Sequence, residues 1–350
     1  MLFVLSNPLF YKLDIDERPF VSSFFILSLK TCKIHHMAIK TLVFIFLMSI
    51  TTLFAQKQKV IFDCDLGDDI DDAYALALLL TQQDKLDILG IVTCYGRTED
   101  RATLALKILY ETGQSQIPVY AGRNTAASSE RANWYADQFH WAKGFDKLKM
   151  QTKNGADFIL EQLEKFPNEV VIISVGPVTN LADVENKRKG SLKLAKKIYA
   201  MFGSFYLQYN GSPTPEPEWN VKCDIPAAKV FVNSGASIVY AGLDITAMVK
   251  LNQDKRAQLL MRQSVLTNAL SGLYVLWGHE TPTLFDPVAI GMLIYPDLFK
   301  TKKAHISIGE DGMTIVDEQK NTNAELGVYI NVDEFIKRTM TAYLQQNLER

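Results

Sequence analysis

The sequence predicts a single α/β domain whose mostly parallel central sheet is flanked by helices, and three observations carry this. From Lys59 onward, short β-branched or apolar runs alternate with longer segments of helical period, as strands joined by crossover helices do. No internal repeat, low-complexity tract or long linker interrupts the alternation. With 350 residues, 48% hydrophobic and 22% charged, the chain also has the material for one large core rather than the composition of a disordered protein.

Ahead of the domain, Met37–Lys40 gives a positive start, Thr41–Ala55 (TLVFIFLMSITTLFA) an apolar run and Gln56–Lys59 a polar restart. These are the parts of a secretory signal peptide. The run falls short of the roughly 20 apolar residues a membrane span needs, so no stable membrane anchor is expected. Residues 1–36 carry no consistent targeting pattern and are read as a non-native extension before a start at Met37. The expectation is an exported protein, periplasmic or extracellular, with leader 37–55 and one catalytic domain over 56–350.

Within that domain, strands are predicted over Lys59–Cys64, Leu86–Thr93, Ile117–Tyr120, Val170–Val175, Lys197–Phe202 and Ser237–Leu243, each a short apolar run bounded by polar or turn residues. Helical segments fill the gaps: Asp71–Leu80, Arg101–Thr112, Gly155–Phe166, Val178–Asn186 and Asp224–Asn233. Asp254–Trp277 reads as helical, His305–Gly309 and Gly327–Val332 as late strands, and Asp333–Gln346 as helical too. Gly211–Pro217 is a stiff, proline-rich loop. In such a sheet, ligands gather at the carboxyl ends of the strands.

A formal net charge of −2 supplies none of the basic field a nucleic-acid partner requires, so a small-molecule substrate is expected. Cys32 falls ahead of the domain, and the remaining Cys64, Cys94 and Cys223 cannot all pair. Without a C-x-x-C spacing they indicate neither a disulfide framework nor a zinc site, and are expected to be small buried residues.

The unusual chemistry lies in KVIFDCDLGDDIDDAYALALLL, which sets Asp63, Asp65, Asp68, Asp69, Asp71 and Asp72 between an apolar strand and an apolar helix. Carboxylates this dense repel one another unless positive charge sits among them. A helix N-terminus relieves part of that, and a hard divalent cation far more. N-capping would account for one Asp, not six. Oxygen-only ligands favour Ca²⁺ or Mg²⁺. Read alone, Asp63-Cys-Asp65 also resembles the D-x-D start of haloacid-dehalogenase-type phosphohydrolases, with Asp63 as nucleophile and Mg²⁺ beside it.

Taken with later segments, the cluster resembles the nucleoside hydrolase family of the inosine-uridine preferring type. Its opening strand, D-x-D-x-G, Asp pair and Ala/Leu-rich helix are followed in order by Leu89–Thr93, Ile117–Gly122 (IPVYAG), Val175–Ala182 (VGPVTNLA), Glu218-Trp-Asn220 with Asp224 and Pro226–Ala228, Gly242–Thr246 (GLDIT) and Asp286–Ala289 (DPVA). The resemblance implies a nucleoside hydrolase-like fold, a Ca²⁺ cofactor and cleavage of the N-glycosidic bond of a ribonucleoside or related N-riboside. Residue by residue it implies Asp65, Asp72, Asp286 and the main-chain carbonyl of Val175 as metal ligands, with Asp65 also taking a proton from the attacking water. Glu218 and Asn220 would hold ribose hydroxyls, with Asp71 or Asp69 beside them. A homo-oligomer is left open.

The chemistry asks for such a set. N-glycosidic cleavage passes through an oxocarbenium-like state, which needs an activated water on one face and acids and amides gripping the sugar. Asp224 and Asp244 have an equal claim as cap or turn residues, and Asn180 is expected to order the turn after its strand. Three departures from the family pattern bear on substrate choice. The Asp-rich turn is two residues longer, so Asp69 and Asp71 compete for one role. Arg97 replaces an Asn, near the ribose 5′ side, where a guanidinium could meet an anionic group or simply lie on the surface. Phe285 stands where many members have a His, removing an acid for the departing base; His279, or else His140, is the candidate replacement. The rival functions are a Mg²⁺-dependent phosphohydrolase and a non-catalytic nucleoside- or sugar-binding protein.

Overall fold

A computed structural model of the protein describes residues 56–125 and 137–349. The leader and the extension before it lie outside the described residues.

Nine strands form one mixed sheet: β1 (Gln58–Cys64), β2 (Leu86–Thr93), β3 (Val119–Ala121), β4 (Val171–Ser174), β5 (Lys197–Met201), β6 (Ile238–Ala241), β7 (Phe299–Ile308), β8 (Thr314–Asp317) and β9 (Ala324–Ile330). Their order is β3-β2-β1-β4-β5-β6-β9-β7-β8. The pairs from β3 through β6 to β9 are parallel, while β7 runs antiparallel to both its neighbours. The helices are α1 (Asp71–Leu80), α2 (Thr98–Glu111), α3 (Phe139–Ala142), α4 (Gly155–Lys165), α5 (Thr179–Lys187), α6 (Trp219–Lys222), α7 (Ile225–Val232), α8 (Leu243–Thr246), α9 (Gln253–Arg262), α10 (Val265–Trp277), α11 (Phe285–Ile294) and α12 (Val332–Gln345).

Both faces of the sheet are covered, as parallel pairing requires. Along β1, Val60, Phe62 and Cys64 enter one core with residues of α1, α2, α10, α11 and α12, whereas Ile61 enters a second core with residues of α4, α5 and α7. The two-residue period of a strand decides which side chain goes where. All ten residues of α1 are buried, its two aspartates included. DDAYALALLL has no polar stripe to offer solvent, so that helix must lie inside.

The sequence expectation fails at three places in the second half. Asp254–Trp277 is two helices, because Gln263 takes a left-handed conformation (φ 51°) and Ser264 opens α10 with a capping box to Thr267. β7 begins at Phe299 rather than near His305, and β8 was not anticipated. They are the last two strands at one end of the sheet, and in β7 polar residues such as Lys300, Lys302 and Lys303 blur the apolar pattern. Leu243 starts the short α8 instead of ending a strand.

Candidate active site

The chain winds outward from β1 to β2 and β3, then returns to the other side of β1 with β4. Segments leaving the carboxyl ends of β1 and β4 therefore diverge and leave a crevice. Asp65 follows β1 there, Val175 follows β4 and Met201 ends β5; all three line one cavity of about 340 Å³. Gly67, at φ 108°, makes the turn that brings Asp68 and Asp69 back over the crevice before α1 starts. Gly176 is needed for room: a Cβ there would stand 2.7 Å from Asp65 Oδ1 and 2.6 Å from the Cys94 sulfur.

Two helices aim their first turns into the cavity. Asp71 and Asp72 open α1, Asp286 opens α11, and the two helices pack against each other. One carboxylate oxygen from each of Asp71, Asp72 and Asp286 lies within 4.8 Å of the other two. Helix N-termini favour negative charge, which makes such crowding tolerable but not neutral. Burial, reinforced by mutual repulsion, pushes the pKa values of Asp71, Asp72 and Asp286 well above the carboxylate range. Asp65 rises to about 7 through burial, opposed by the Arg101 guanidinium and reinforced by Asp68 and Glu218.

The sugar-facing candidates sit on a different foundation. Glu218 caps α6, accepting the N–H groups of Gly203 and Asn220, each at 2.9 Å. Burial still raises its pKa to about 7, with these donors and the Tyr209 hydroxyl pulling it down. Asn220 donates to the carbonyls of Val175 and Met201, both at 3.0 Å, tying α6 to the ends of β4 and β5.

Three comparisons with known proteins bear on this arrangement. The family description "Inosine-uridine preferring nucleoside hydrolase" matches residues 60–337. The chain belongs to this family. Uridine nucleosidase 1 of Arabidopsis thaliana is 30% identical over 275 residues, covering 74% of this chain and 80% of the relative. Pyrimidine-specific ribonucleoside hydrolase RihB of Escherichia coli O1:K1 / APEC is 27% identical, covering 80% and 95%. Among solved structures, the plant nucleoside hydrolase PpNRh1 superposes with a TM-score of 0.73 at 23% identity, covering 83% of this chain and all of that one, a likeness of fold.

This nucleoside hydrolase is thus an N-glycosyl hydrolase acting on small-molecule nucleosides. The phosphohydrolase alternative fails structurally as well. Asp63, its nucleophile, is fully buried, is not among the cavity-lining residues, and is held by Asn180 at 2.7 Å. Asn180, which also donates to the Thr93 carbonyl, orders strand ends as expected. Asp224 caps α7, and Asp244 accepts the backbone N–H groups of Phe205, Tyr206 and Leu207. The three cysteines of the domain are unpaired, Cys64 and Cys94 fully enclosed.

Of the residues singled out in the sequence, Asp65, Asp69, Asp71, Asp72, Val175, Glu218, Asn220, His279, Phe285 and Asp286 all line the cavity. Arg97 does not. It stands exposed at the start of α2, and its Nε pairs with Asp100 one turn on, at 2.6 Å. His140, in α3, is also not among the lining residues. The trio brought together most tightly contains Asp71, assigned beforehand to the sugar, and not Asp65.

Tyr209, Trp219 and Trp277 were missed. They line the cavity, with the Tyr209 ring edge-on to Phe285 at 5.7 Å and the Trp277 ring edge-on to His279 at 4.8 Å. Trp219 could have been read from its place between Glu218 and Asn220, whereas nothing marks Tyr209 within its loop.

The donor set fits a hard divalent cation. Seven carboxylates line the cavity against one basic side chain, His279, among the described residues. Asp72 Oδ1 is buried with no hydrogen-bond partner, an orphan that a cation would satisfy.

Proposed function

We propose that this nucleoside hydrolase is calcium-dependent and that Asp65, Asp72, Asp286 and the Val175 carbonyl hold the ion, Asp71 lying between ion and sugar. The observation that carries this is the convergence of Asp71, Asp72 and Asp286 within 4.8 Å beside an oxygen lacking any donor. Irregular carboxylates plus a backbone carbonyl suit the flexible six- to eight-oxygen shell of Ca²⁺ better than the strict octahedron of Mg²⁺. When bound, the ion supplies acidification and orientation of water.

The remaining work belongs to the chain. Asp65 accepts the proton from the attacking water. Glu218 and Asn220 hold ribose hydroxyls, joined by the deeply buried Asp71 rather than by Asp69, which lies partly exposed. As the C–N bond breaks, these acids stabilise positive charge on the ribose ring. Tyr209, Trp277 and Phe285 supply apolar surface for a planar base. Phe285 has no proton to give, so His279, at the cavity's exposed rim, protonates the leaving nitrogen.

Two relatives are named for uridine and pyrimidine ribonucleosides, so these head the substrate panel. Ribose release from ribonucleosides that stops with chelator and returns with Ca²⁺ but not Mg²⁺ is expected. Tight nucleoside binding without release would select the binding-protein alternative. For His279→Ala, turnover of ordinary nucleosides should fall about 10²-fold while a p-nitrophenyl riboside, whose leaving group needs no proton, is unaffected. Equal loss on both would remove His279 as the acid. Export is part of the proposal: N-terminal sequencing of secreted protein should begin near Gln56.

A further inference from the structure

Arg101 lies in the first turn of α2 and is 4% exposed, an expensive place for a guanidinium unless its donors are used. They are used on backbone. Nε donates to the Tyr95 carbonyl at 2.7 Å, and Nη1 donates to the carbonyls of Leu66, at 3.2 Å, and of Asp65 itself. One planar fork therefore joins the segment leaving β1 to the segment leaving β2. Tyr95 is a non-glycine residue at φ 62°, a conformation that persists only where its surroundings over-determine it. Its ring stands edge-on to Trp219 at 6.2 Å, the residue between Glu218 and Asn220. On another side, Gly176 packs closely against Asp65: a Cβ there would stand 2.7 Å from the Asp65 carboxylate and 2.9 Å from its backbone nitrogen.

We infer that Arg101 is a positioning residue: by gripping the Asp65 and Leu66 carbonyls it fixes the Asp65 carboxylate at the angle its metal and water-activating roles require. The assignment rests on the metal site proposed above. A charge effect is told apart by Lys. The positive charge both repels Ca²⁺ and favours the ionised Asp65 carboxylate, and a Lys keeps both influences, whereas loss of a clamp loosens binding whether or not the charge remains. Lys is the informative replacement, because it keeps the charge but not the planar fork.

The test uses the purified metal-free enzyme, with Arg101→Lys and Arg101→Met checked for fold by circular dichroism and thermal melting. Ca²⁺ affinity is measured by calorimetry, and kcat and KM on a turned-over nucleoside. Both variants should bind Ca²⁺ about 10–100-fold more weakly, the range typical of lost outer-sphere support. In calcium-saturated assays they should lose kcat more than they raise KM. Wild-type affinity in Arg101→Lys or tighter binding in Arg101→Met would each overturn the clamp. If Arg101→Met does not fold, Arg101→Lys decides alone. Wild type that binds no Ca²⁺, or Asp65→Ala that binds it normally, would instead overturn the metal site, and the clamp with it.

Discussion

Glu218 and Asp72 are both buried carboxylates of one cavity, yet they are housed in different ways. Glu218 is satisfied by the fold, taking N–H donors from Gly203 and Asn220 at 2.9 Å. Asp72 keeps an oxygen with no donor and faces Asp65, Asp71 and Asp286 as well. Hydrogen bonds satisfy Glu218 without a ligand, while the acid cluster is left with charge that bound protons or a cation must neutralise. In the roles proposed above, the first is a preformed grip and the second a socket.

The largest break in this contrast is expected from Asp65→Ala, which removes the proposed ligand and proton acceptor together. Turnover should fall by roughly 10²–10⁴-fold even at saturating Ca²⁺, and calorimetry should find tight ion binding gone. Unchanged affinity would mean Asp65 is no ligand. Glu218→Gln attacks the other arm. One backbone donor then faces an amide N–H₂, so kcat/KM should drop about 10–150-fold, equivalent to about 1.5–3 kcal/mol, with Ca²⁺ affinity nearly intact. A matching loss of Ca²⁺ affinity would show that the arms are not separate.

A pH comparison sharpens the difference without mutation. Asp65 and Glu218 each titrate at about 7 in the fold, against ordinary values of 3.8 and 4.5. Between those limits the native state holds protons that the unfolded chain has released, so metal-free stability falls as pH rises. The slope is up to about 1.4 kcal/mol per pH unit per group. Ca²⁺ binds the deprotonated ligands of the native state only, and its stabilisation grows with pH. Urea midpoints in chelator should thus be lower at pH 8 than at pH 5, and the gap to calcium-loaded protein wider at pH 8. A gap independent of pH would mean the ligands are not the groups that titrate. The smallest effect belongs to Arg97→Ala. Its exposed ion pair with Asp100 lies outside the cavity, so stability should move by less than about 0.5 kcal/mol and KM should not change. A raised KM would return Arg97 to the substrate.

How much could be read in advance depended on whether a residue acts locally. Glu218 and Asn220 were legible because they stand together in one short motif, and Asp65 and Asp72 because no helix cap needs so many acids. Arg101 was passed over in favour of Arg97, four residues earlier, which occupies the more suggestive motif position. Only the path of β2 into α2 turns one side chain inward and the other out to Asp100.

By itself, the sequence determined the alternation of strand and helix as far as β6, the apolar character of α1 and the gathering of acids where β1 ends. These follow from periodicity and charge density, which are properties of neighbours along the chain. It could not decide that Asp286, more than 200 residues beyond Asp71, would present its backbone N–H to that carboxylate at 3.2 Å. Nor could it show that Asp71 rather than Asp65 would join Asp72 and Asp286 in the tightest group, or that Tyr209 would meet Phe285. Those depend on where β4 returns beside β1 and how α11 packs on α1. The contacts that set both are made between segments far apart in sequence, and only the folded chain brings them together.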